Sequence, residues 1–272
     1  MKKLLFVFVA LMGVATTGWP VIRSKVNLGV TGTSATEITG RDGAPMMLIP
    51  AGEFMMGSEK DGQKPIHRVS LDAYYLDKFE VTFARYDAFC DATGRAKPPD
   101  TRSGHQSNSK PSDKGWGRDK RPVIWISWLD AKAYCEWAGK RLPTEAEWES
   151  ACRAGSVATY CFGEDQGLLG SYAWYKTNSG GMTHPVGTKK PNGLGLYDMH
   201  GNVWEWCADW YSGGYYAVSQ LNNPKGPSSG EYRMMRGGSW FFDYDRLGST
   251  VRFFNEPDFR DSNTGCRCAK TL

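Results

Sequence analysis

The sequence predicts an α+β domain in which loops outweigh regular secondary structure. The 272-residue chain contains 32 glycines together with 11 tryptophans, 13 tyrosines and 12 phenylalanines. This composition is typical of many turns held in place by aromatic clusters. Strand-like and helix-like stretches are short, and we find neither internal repeats nor a second domain boundary. We therefore expect one domain over residues 45–272, preceded by an export signal or anchor at 1–17 and a linker at 18–44.

Short apolar stretches predict strands near the start of this domain. Residues 46–57 read as two strands joined by a Pro-Ala-Gly turn, and residues 66–75 read as a third strand. Residues 82–92 carry aromatic side chains at helical spacing and are followed by Gly94, so they predict a helix. Residues 95–120 are a long polar loop.

Two further helices are predicted by residues that cap their N-termini. In each, a Ser or Thr stands three residues before an acid, and a glycine follows the apolar stripe. The caps are Ser127 with Asp130 and Thr144 with Glu147. Residues 123–126, before the first of these helices, read as a strand. Two more strands are expected, at 233–240, where the chain runs into a tight Gly-Gly turn, and at 264–269.

The densest stretch is Gly195 to Trp210, in which three tryptophans fall within seven residues. Acidic and amide side chains are interleaved with the rings, at Asp198, Asn202, Glu205 and Asp209. Oxygen ligands at such short spacing can hold a hard cation such as Ca²⁺. The alternative is a buried strand whose acids are hydrogen-bonded, and the spacing alone leaves both interpretations open.

Charge limits the expected partners of the protein, and the N-terminus indicates its location. The net charge is +4, and the lysines and arginines form no run, so neither nucleic acid nor a membrane surface is an expected partner. Lys2 and Lys3 precede an apolar run over residues 4–15, as in an export signal. The run is short for a transmembrane helix, and both a cleaved signal and an uncleaved anchor remain open. We expect a periplasmic or otherwise extracytoplasmic location, where cysteines pair.

Five segments carry a resemblance to a known family. They are Met47–Gly57, Arg141–Glu149, Gly195–Trp206, Arg236–Trp240 and Gly265–Cys268. Together and in this order they resemble the formylglycine-generating, or sulfatase-modifying factor, family, which has a loop-rich variant of the C-type lectin fold. The resemblance covers most of residues 46–270 and implies that fold. It says less about activity, because one fold hosts many functions.

The resemblance fails at the positions that carry the family's chemistry. Active members resemble copper oxidases that bind Cu(I) through two thiolates just after the Gly-Gly-Ser-aromatic turn, and thiolates are the donors that select Cu(I). The matching positions here are Phe242 and Leu247, and no cysteine lies between Cys207 and Cys266. We therefore expect no copper and predict no catalytic residues.

Other family features imply specific residues in this chain. The family disulfide between the first core helix and the last strand implies a bond between Cys135 and Cys268. The family partner of Cys152 would fall on Arg252, which leaves Cys266 as a substitute partner. A family calcium site uses a side-chain oxygen, two backbone carbonyls and a glutamate. Its implied ligands are Asp198, Gly201, Val203 and Glu205.

The C-terminal segment suggests a binding surface. In the family, the segment that matches residues 240–261 lines the concave face on which a substrate peptide lies, and here it is rich in Phe, Tyr, Asp, Asn and Arg. It also resembles the hypervariable tail of lectin-fold receptors. Rigid aromatic side chains beside adaptable polar groups favour ligand binding; the alternative is that individual phenylalanines fill the core. The predicted ligand residues are Trp240, Phe242, Tyr244, Asp245, Arg252, Asn255 and Arg260.

These observations lead to an expected function with alternatives. We expect an exported binding or accessory module whose partner is a protein, a peptide or a small molecule. The alternative is an extracytoplasmic oxidase that acts on peptides or on a peptide-derived metabolite through other residues. Formylglycine generation on sulfatases is the least favoured, because its copper ligands are missing.

Overall fold

The computed structural model describes residues 36–101 and 115–272 of the chain. The strands are β1 (Glu37–Thr39), β2 (Pro45–Ile49), β3 (Gly52–Met56), β4 (His67–Leu71), β5 (Tyr74–Asp77), β6 (Trp204–Trp210), β7 (Arg233–Arg236), β8 (Phe253–Asn255), β9 (Thr264–Gly265) and β10 (Ala269–Thr271). The helices are α1 (Phe83–Thr93), α2 (Trp128–Trp137), α3 (Glu145–Arg153) and α4 (Leu169–Tyr172). This mixture of short elements and long connections confirms the predicted α+β class.

The folded domain begins earlier than residue 45. Strand β1 lies in the predicted linker, yet it pairs antiparallel with β2. In the turn that follows, the Asp42 carboxylate accepts hydrogen bonds from Lys140 at 2.9 Å and from Tyr134 at 2.6 Å. A three-residue polar strand carries too little alternation to be recognised, so the sequence placed the boundary too late. The predicted signal at 1–17 lies outside the described residues, as does the linker up to residue 35. Within the described part of the chain, no helix is both long and apolar enough to cross a bilayer.

The first sheet joins the two ends of the domain. Its strand order is β1-β2-β5-β10, so the C-terminal strand lies beside β5. Next to it, Cys135 of α2 and Cys268 form the disulfide that the resemblance implied, across 133 residues of sequence. The substitute bridge between Cys152 and Cys266 is wrong, because both are free thiols buried in different core clusters.

The helix caps agree with the prediction. The Ser127 hydroxyl accepts from the Asp130 N–H at 3.1 Å, and the Asp130 carboxylate accepts from the Ser127 N–H at 3.1 Å. Thr144 and Glu147 make the same reciprocal pair at the start of α3. Each box satisfies backbone donors that the first turn of a helix leaves without partners. Helix α1 starts after its cap Thr82 and ends at Gly94 with φ 70°.

Three of the predicted strands differ from the structure. Residues 66–75 form two strands in different sheets, because β4 pairs with β3 whereas β5 pairs with β2 and β10. Residues 123–126 are not a strand, since Trp125 has a positive φ of 62° and its N–H bonds to the Asp261 carbonyl at 3.0 Å. Residues 264–269 form β9 and only the first residue of β10. The chain between these strands turns the Arg267 side chain into the core.

The second four-stranded sheet carries the C-terminal segment. Its order is β8-β7-β6-β9, with β6 paired antiparallel to β7 and parallel to β9. The tryptophans of β6 at 204 and 206 are completely buried, and the Trp206 indole donates to the Ile126 carbonyl at 3.1 Å. This burial anchors the centre of the sheet and leaves β8 at its edge.

Candidate ligand-binding surface

A Gly-Gly turn positions the C-terminal segment. Gly237 and Gly238 follow β7 with φ of 102° and 77°, which side-chain-bearing residues rarely adopt. A Cβ on Gly238 would lie 2.7 Å from the Arg246 carbonyl oxygen. The turn therefore lets residues 239–247 fold back against the end of β7. After it, the Trp240 N–H bonds to the Asn202 carbonyl at 2.9 Å, which ties the segment to the tryptophan stretch.

Two of the predicted ligand residues lie inside the protein. Trp240 is 3% exposed, and its indole donates to the Ser262 carbonyl at 2.9 Å. The Arg252 guanidinium donates to both carboxylate oxygens of Glu145, at 2.7 and 3.1 Å. Because these internal partners already engage both side chains, Trp240 and Arg252 hold the C-terminal segment in place from inside the protein.

The other predicted ligand residues are wholly or partly accessible. Tyr244, Asp245 and Arg260 are exposed, whereas Phe242 and Asn255 are half-buried. The exposed groups are not all unpaired, because Arg260 donates to the Asp130 carboxylate at 2.7 Å. The structure does not bring all of the predicted residues together, since Tyr244 and Asp245 line a cleft in which Asn255 and Arg260 take no part.

Aromatic rings follow one another in a strip that runs from the residues after the Gly-Gly turn and around the edge strand β8. The Phe241 and Phe242 ring centroids are 5.5 Å apart, the Phe242 and Phe253 centroids 6.3 Å, and the Phe253 and Phe254 centroids 6.4 Å. Phe254 then stacks on Tyr211 at 3.8 Å. Each of these rings is exposed or half-buried. We call these five residues the aromatic strip; sequence reasoning missed Tyr211, because it lies more than forty positions before Phe254 and only the fold brings the two together.

Two clefts on the described surface can be compared with the predicted ligand residues. One of about 340 Å³ is lined by Tyr160, Tyr244, Glu164 and Asp245, and thus touches the predicted ligand residues. The other, of about 600 Å³, lies over Trp128. Its lining charges largely neutralise one another: Arg141 pairs with Glu147 at 2.6 Å and Lys132 with Glu136 at 2.5 Å. Of these two clefts, only the smaller one is lined by residues of the C-terminal segment.

Buried charges surround the tryptophan stretch. Both Glu205 carboxylate oxygens accept from Arg267, at 2.7 Å each, and one also accepts from the Trp148 indole at 2.6 Å. Nearby, Glu80 accepts from the Asn202 amide at 2.6 Å and from the Val203 N–H at 3.1 Å. Burial, together with the charges of Asp198 and Glu205, raises the pKa of Glu80 well above its usual value.

Asp198 has an unpaired oxygen within this cluster. It is buried with φ 58°, its Oδ2 accepts from the Gly187 N–H at 2.7 Å, and its Oδ1 has no hydrogen-bond partner in the protein. Burial raises its pKa to about 6. Three buried carboxyls, those of Glu80, Asp198 and Glu205, thus lie near two cations, the buried Arg267 and the half-buried Lys189. The predicted calcium ligands stay a prediction.

Comparison with known proteins identifies the family. A model of the Sulfatase-modifying factor enzyme 1-like domain matches residues 33–272. This chain belongs to the sulfatase-modifying factor family. The match begins in the predicted linker, in agreement with the position of β1.

Relatives in this family differ in their described activity. The formylglycine-generating enzyme of Streptomyces coelicolor is 36% identical over 274 residues, covering 81% of this chain and 87% of that protein. The mouse inactive C-alpha-formylglycine-generating enzyme 2 is 32% identical over 280 residues, covering 83% of this chain and 85% of that protein. Membership in the sulfatase-modifying factor family therefore does not decide whether this chain is an enzyme.

Two solved structures share most of the fold. The Treponema denticola variable protein 1 has a TM-score of 0.76 and 29% identity, covering 88% of this chain and all of that one. PvdO from Pseudomonas aeruginosa has a TM-score of 0.76 and 30% identity, covering 89% of this chain and all of that one. Both support the loop-rich C-type lectin-like fold of the sulfatase-modifying factor type.

Apolar side chains stand at the two positions that the sequence predicts to match the family's copper thiolates. Leu247 is completely buried among Tyr160, Leu169 and Ala173, and Phe242 packs against that cluster. No group of three or more His, Cys, Asp or Glu side chains in residues 36–101 and 115–272 is arranged to hold a metal. Phe242 and Leu247 themselves carry no atoms that could ligate Cu(I).

Buried sulfur does occur nearby, but as a thiol. The Sγ atom of Cys152 lies 3.9 Å from His200 Nε2. Burial raises the pKa of Cys152 to about 12, so the thiol stays protonated at neutral pH. His200 is held at its other nitrogen by the Leu247 carbonyl at 2.7 Å. A buried, protonated thiol beside a histidine is a poor substitute for two thiolates.

Proposed function

We propose that this member of the sulfatase-modifying factor family is an exported binding module that takes up a protein or peptide ligand on its aromatic strip. The observation that carries the proposal is the exposure of the strip: Phe241 is 46% and Phe254 37% exposed to solvent. Large rings that adjoin one another on a surface mark an interaction site, whereas scattered exposed apolar residues are ordinary.

The strip has the properties of a preformed binding surface. Phe and Tyr side chains have two rotatable angles, so ordering them on binding costs little conformational entropy. The strip is supported from below by Trp204, which stacks on Phe253 at 5.0 Å and is completely buried. Polar groups at its margin, such as Asn255, supply hydrogen bonds. This combination is typical of protein-recognition surfaces.

Two further observations favour binding over oxidation. Phe242 and Leu247, at the positions predicted to match the family's copper thiolates, carry no metal-binding atoms, and Leu247 is completely buried. The disulfide between Cys135 and Cys268 suits an oxidising compartment, in agreement with the export signal expected at residues 1–17.

Selection of ligands from a displayed peptide library tests the binding function. The full chain is compared with a Phe241→Ser/Phe254→Ser variant and with a Met55→Ser/Leu129→Ser control, which removes two exposed apolar side chains outside the strip. We expect ligands that bind the wild type and the control but lose about tenfold or more on the strip variant, because aromatic anchors dominate binding energy. Ligands that bind all three proteins equally, or no enrichment at all, would overturn the proposal.

The competing function, oxidation, has its own readout. Oxygen consumption is followed with a cysteine-containing sulfatase peptide in the presence of Cu(I), and Cu(I) affinity is measured against a competing chelator. We expect neither turnover nor chelator-competitive binding, because the protein lacks the thiolate pair. Catalytic oxygen consumption that survives Phe241→Ser/Phe254→Ser would favour the oxidase instead.

A further inference from the structure

Strand β8 (Phe253–Asn255) offers a free edge. It pairs antiparallel with β7 on one side, and no other strand in the described part of the chain pairs with it. In an antiparallel pair, alternate residues direct their N–H and C=O groups away from the partner. An exposed edge of this kind is a template for an extended segment of another chain.

Aromatic rings lie on both faces of this edge. Register places Phe254 opposite Met234, and on this face Phe254 stacks on Tyr211 at 3.8 Å. Phe253 points to the other face, where its ring is 5.0 Å from Trp204. Because the side chains of an added strand alternate between the two faces, consecutive residues of that strand would meet rings on both sides.

The rim of the edge is acidic. Glu231 and Glu256 both act on Tyr232: the pKa of its hydroxyl is raised first by a hydrogen bond to Glu231, then by the Glu231 charge, and also by the charge of Glu256. Glu256 and Asp258 are exposed and have no ion pair among the described residues.

The neighbouring cations are already engaged. Arg252 pairs with Glu145, and Arg260 pairs with Asp130. The Arg233 guanidinium lies between the rings of Trp128 and Trp210, at 3.7 and 3.4 Å from their centroids, and donates to the Ala208 carbonyl. The carboxylates on the rim are therefore left without a local counter-charge.

We propose that the free edge of β8 takes up a basic, extended peptide segment as an additional strand. Its alternate Lys or Arg side chains lie over Phe254 and reach Glu231 and Glu256, because Phe254 and the Arg252 guanidinium already contact the Tyr211 ring. Ammonium and guanidinium groups bind both aromatic faces and carboxylates, whereas an acidic segment is repelled. The inference rests on the proposed ligand-binding function and specifies the chemistry of the ligand.

Fluorescence anisotropy with labelled peptides tests this at low ionic strength. The probes are a peptide of alternating Lys and Val, a matched peptide of alternating Glu and Val, and the basic peptide with alternate backbone amides N-methylated. We expect only the unmethylated basic peptide to bind. Glu231→Gln/Glu256→Gln weakens its binding roughly tenfold, as the loss of two exposed charge pairs implies, whereas Glu37→Gln, at an exposed glutamate of β1 in the other four-stranded sheet, leaves it unchanged.

Several outcomes would overturn this inference. Equal binding of the basic and acidic peptides rules out the charge argument, and undiminished binding of the N-methylated peptide rules out strand addition. Self-association through β8 without peptide binding, seen as concentration-dependent sedimentation, contradicts it as well. If library selection yields neutral or acidic ligands that need Phe254, the binding function stands and only the basic chemistry is wrong. If no ligand depends on Phe254, both proposals fail.

Discussion

The guanidinium of Arg267 holds both carboxylate oxygens of Glu205 at 2.7 Å, and neither side chain is exposed to solvent. Arg267 also donates to the carbonyls of Asp77 and Tyr197. One side chain near the C-terminus therefore links β5, β6 and the loop before β6. The link interrupts the strand predicted over residues 264–269, since the Arg267 side chain turns into the core between β9 and β10.

Arg267→Met should lower the free energy of unfolding by about 3–5 kcal/mol, because it leaves the Glu205 carboxylate buried without its counter-charge. Urea unfolding followed by tryptophan fluorescence measures the change. Lys132→Met, which breaks the exposed pair with Glu136, should cost less than about 1 kcal/mol. The double variant Glu205→Met/Arg267→Met should recover part of the loss, and equal losses in the single and double variants would contradict this account.

The disulfide between Cys135 and Cys268 should contribute about 2–5 kcal/mol, chiefly by restricting the unfolded chain. Cys135→Ser/Cys268→Ser should therefore shift the urea midpoint downwards, and reductant should shift the wild type by a similar amount. Cys161→Ser, at a partly exposed free thiol, serves as the control. A wild-type midpoint that does not respond to reductant would mean that the bond contributes nothing.

Local chemistry explains which features could be predicted from sequence. The caps at Ser127 and Thr144 depend on residues three positions apart, so the sequence specifies them without the fold. The disulfide required the family resemblance, because spacing does not define which cysteines pair. Strand β1 was missed, since its three residues acquire their role only by pairing with β2.

The surface was harder to predict than the core. Trp240 and Arg252 have the composition of ligand residues, but Ser262 and Glu145 engage them from distant parts of the chain. Conversely, Tyr211 joins the aromatic strip only because β6 and β8 flank β7. Burial of a side chain on a loop-rich fold depends on such long-range contacts, and periodicity does not encode them.

Asp209 should make the protein less stable as pH rises. Burial first, and then the charge of Glu145, raises its pKa to about 8, against about 3.9 for an aspartate in an unfolded chain. Between these values the folded state retains a proton that the unfolded state releases, so the free energy of unfolding falls as pH increases, and the loss is complete above pH about 8.

Asp209→Asn should reduce this slope, because asparagine cannot ionise and can still accept the hydrogen bond from the Glu145 N–H. Unfolding curves across this range, with exposed Asp258→Asn as the control, measure the slope; an unchanged slope in Asp209→Asn would rule the effect out.

Calcium should stabilise the protein through Asp198. We propose that Ca²⁺ binds the free Oδ1 of Asp198 together with the carbonyls of Gly201 and Val203 and the Glu205 carboxylate, which relieves the excess of buried negative charge. At about a hundredfold excess over its dissociation constant, the ion should add about 2.7 kcal/mol to the free energy of unfolding. Differential scanning calorimetry with added Ca²⁺ and after chelation measures this, and Asp198→Ala should abolish the response whereas Asp258→Asn should not.

The pH dependence of the calcium response separates this site from weak binding at the surface. Because the pKa of Asp198 is raised to about 6, a proton competes with the ion below that pH, and the stabilisation by Ca²⁺ should fall as pH drops through 6. Ordinary exposed carboxylates titrate near 4, so nonspecific binding would persist down to about that pH. A thermal midpoint that does not respond to Ca²⁺ at pH 7.5, or one that responds equally in Asp198→Ala, would show that the cluster is held by Arg267 and hydrogen bonds alone.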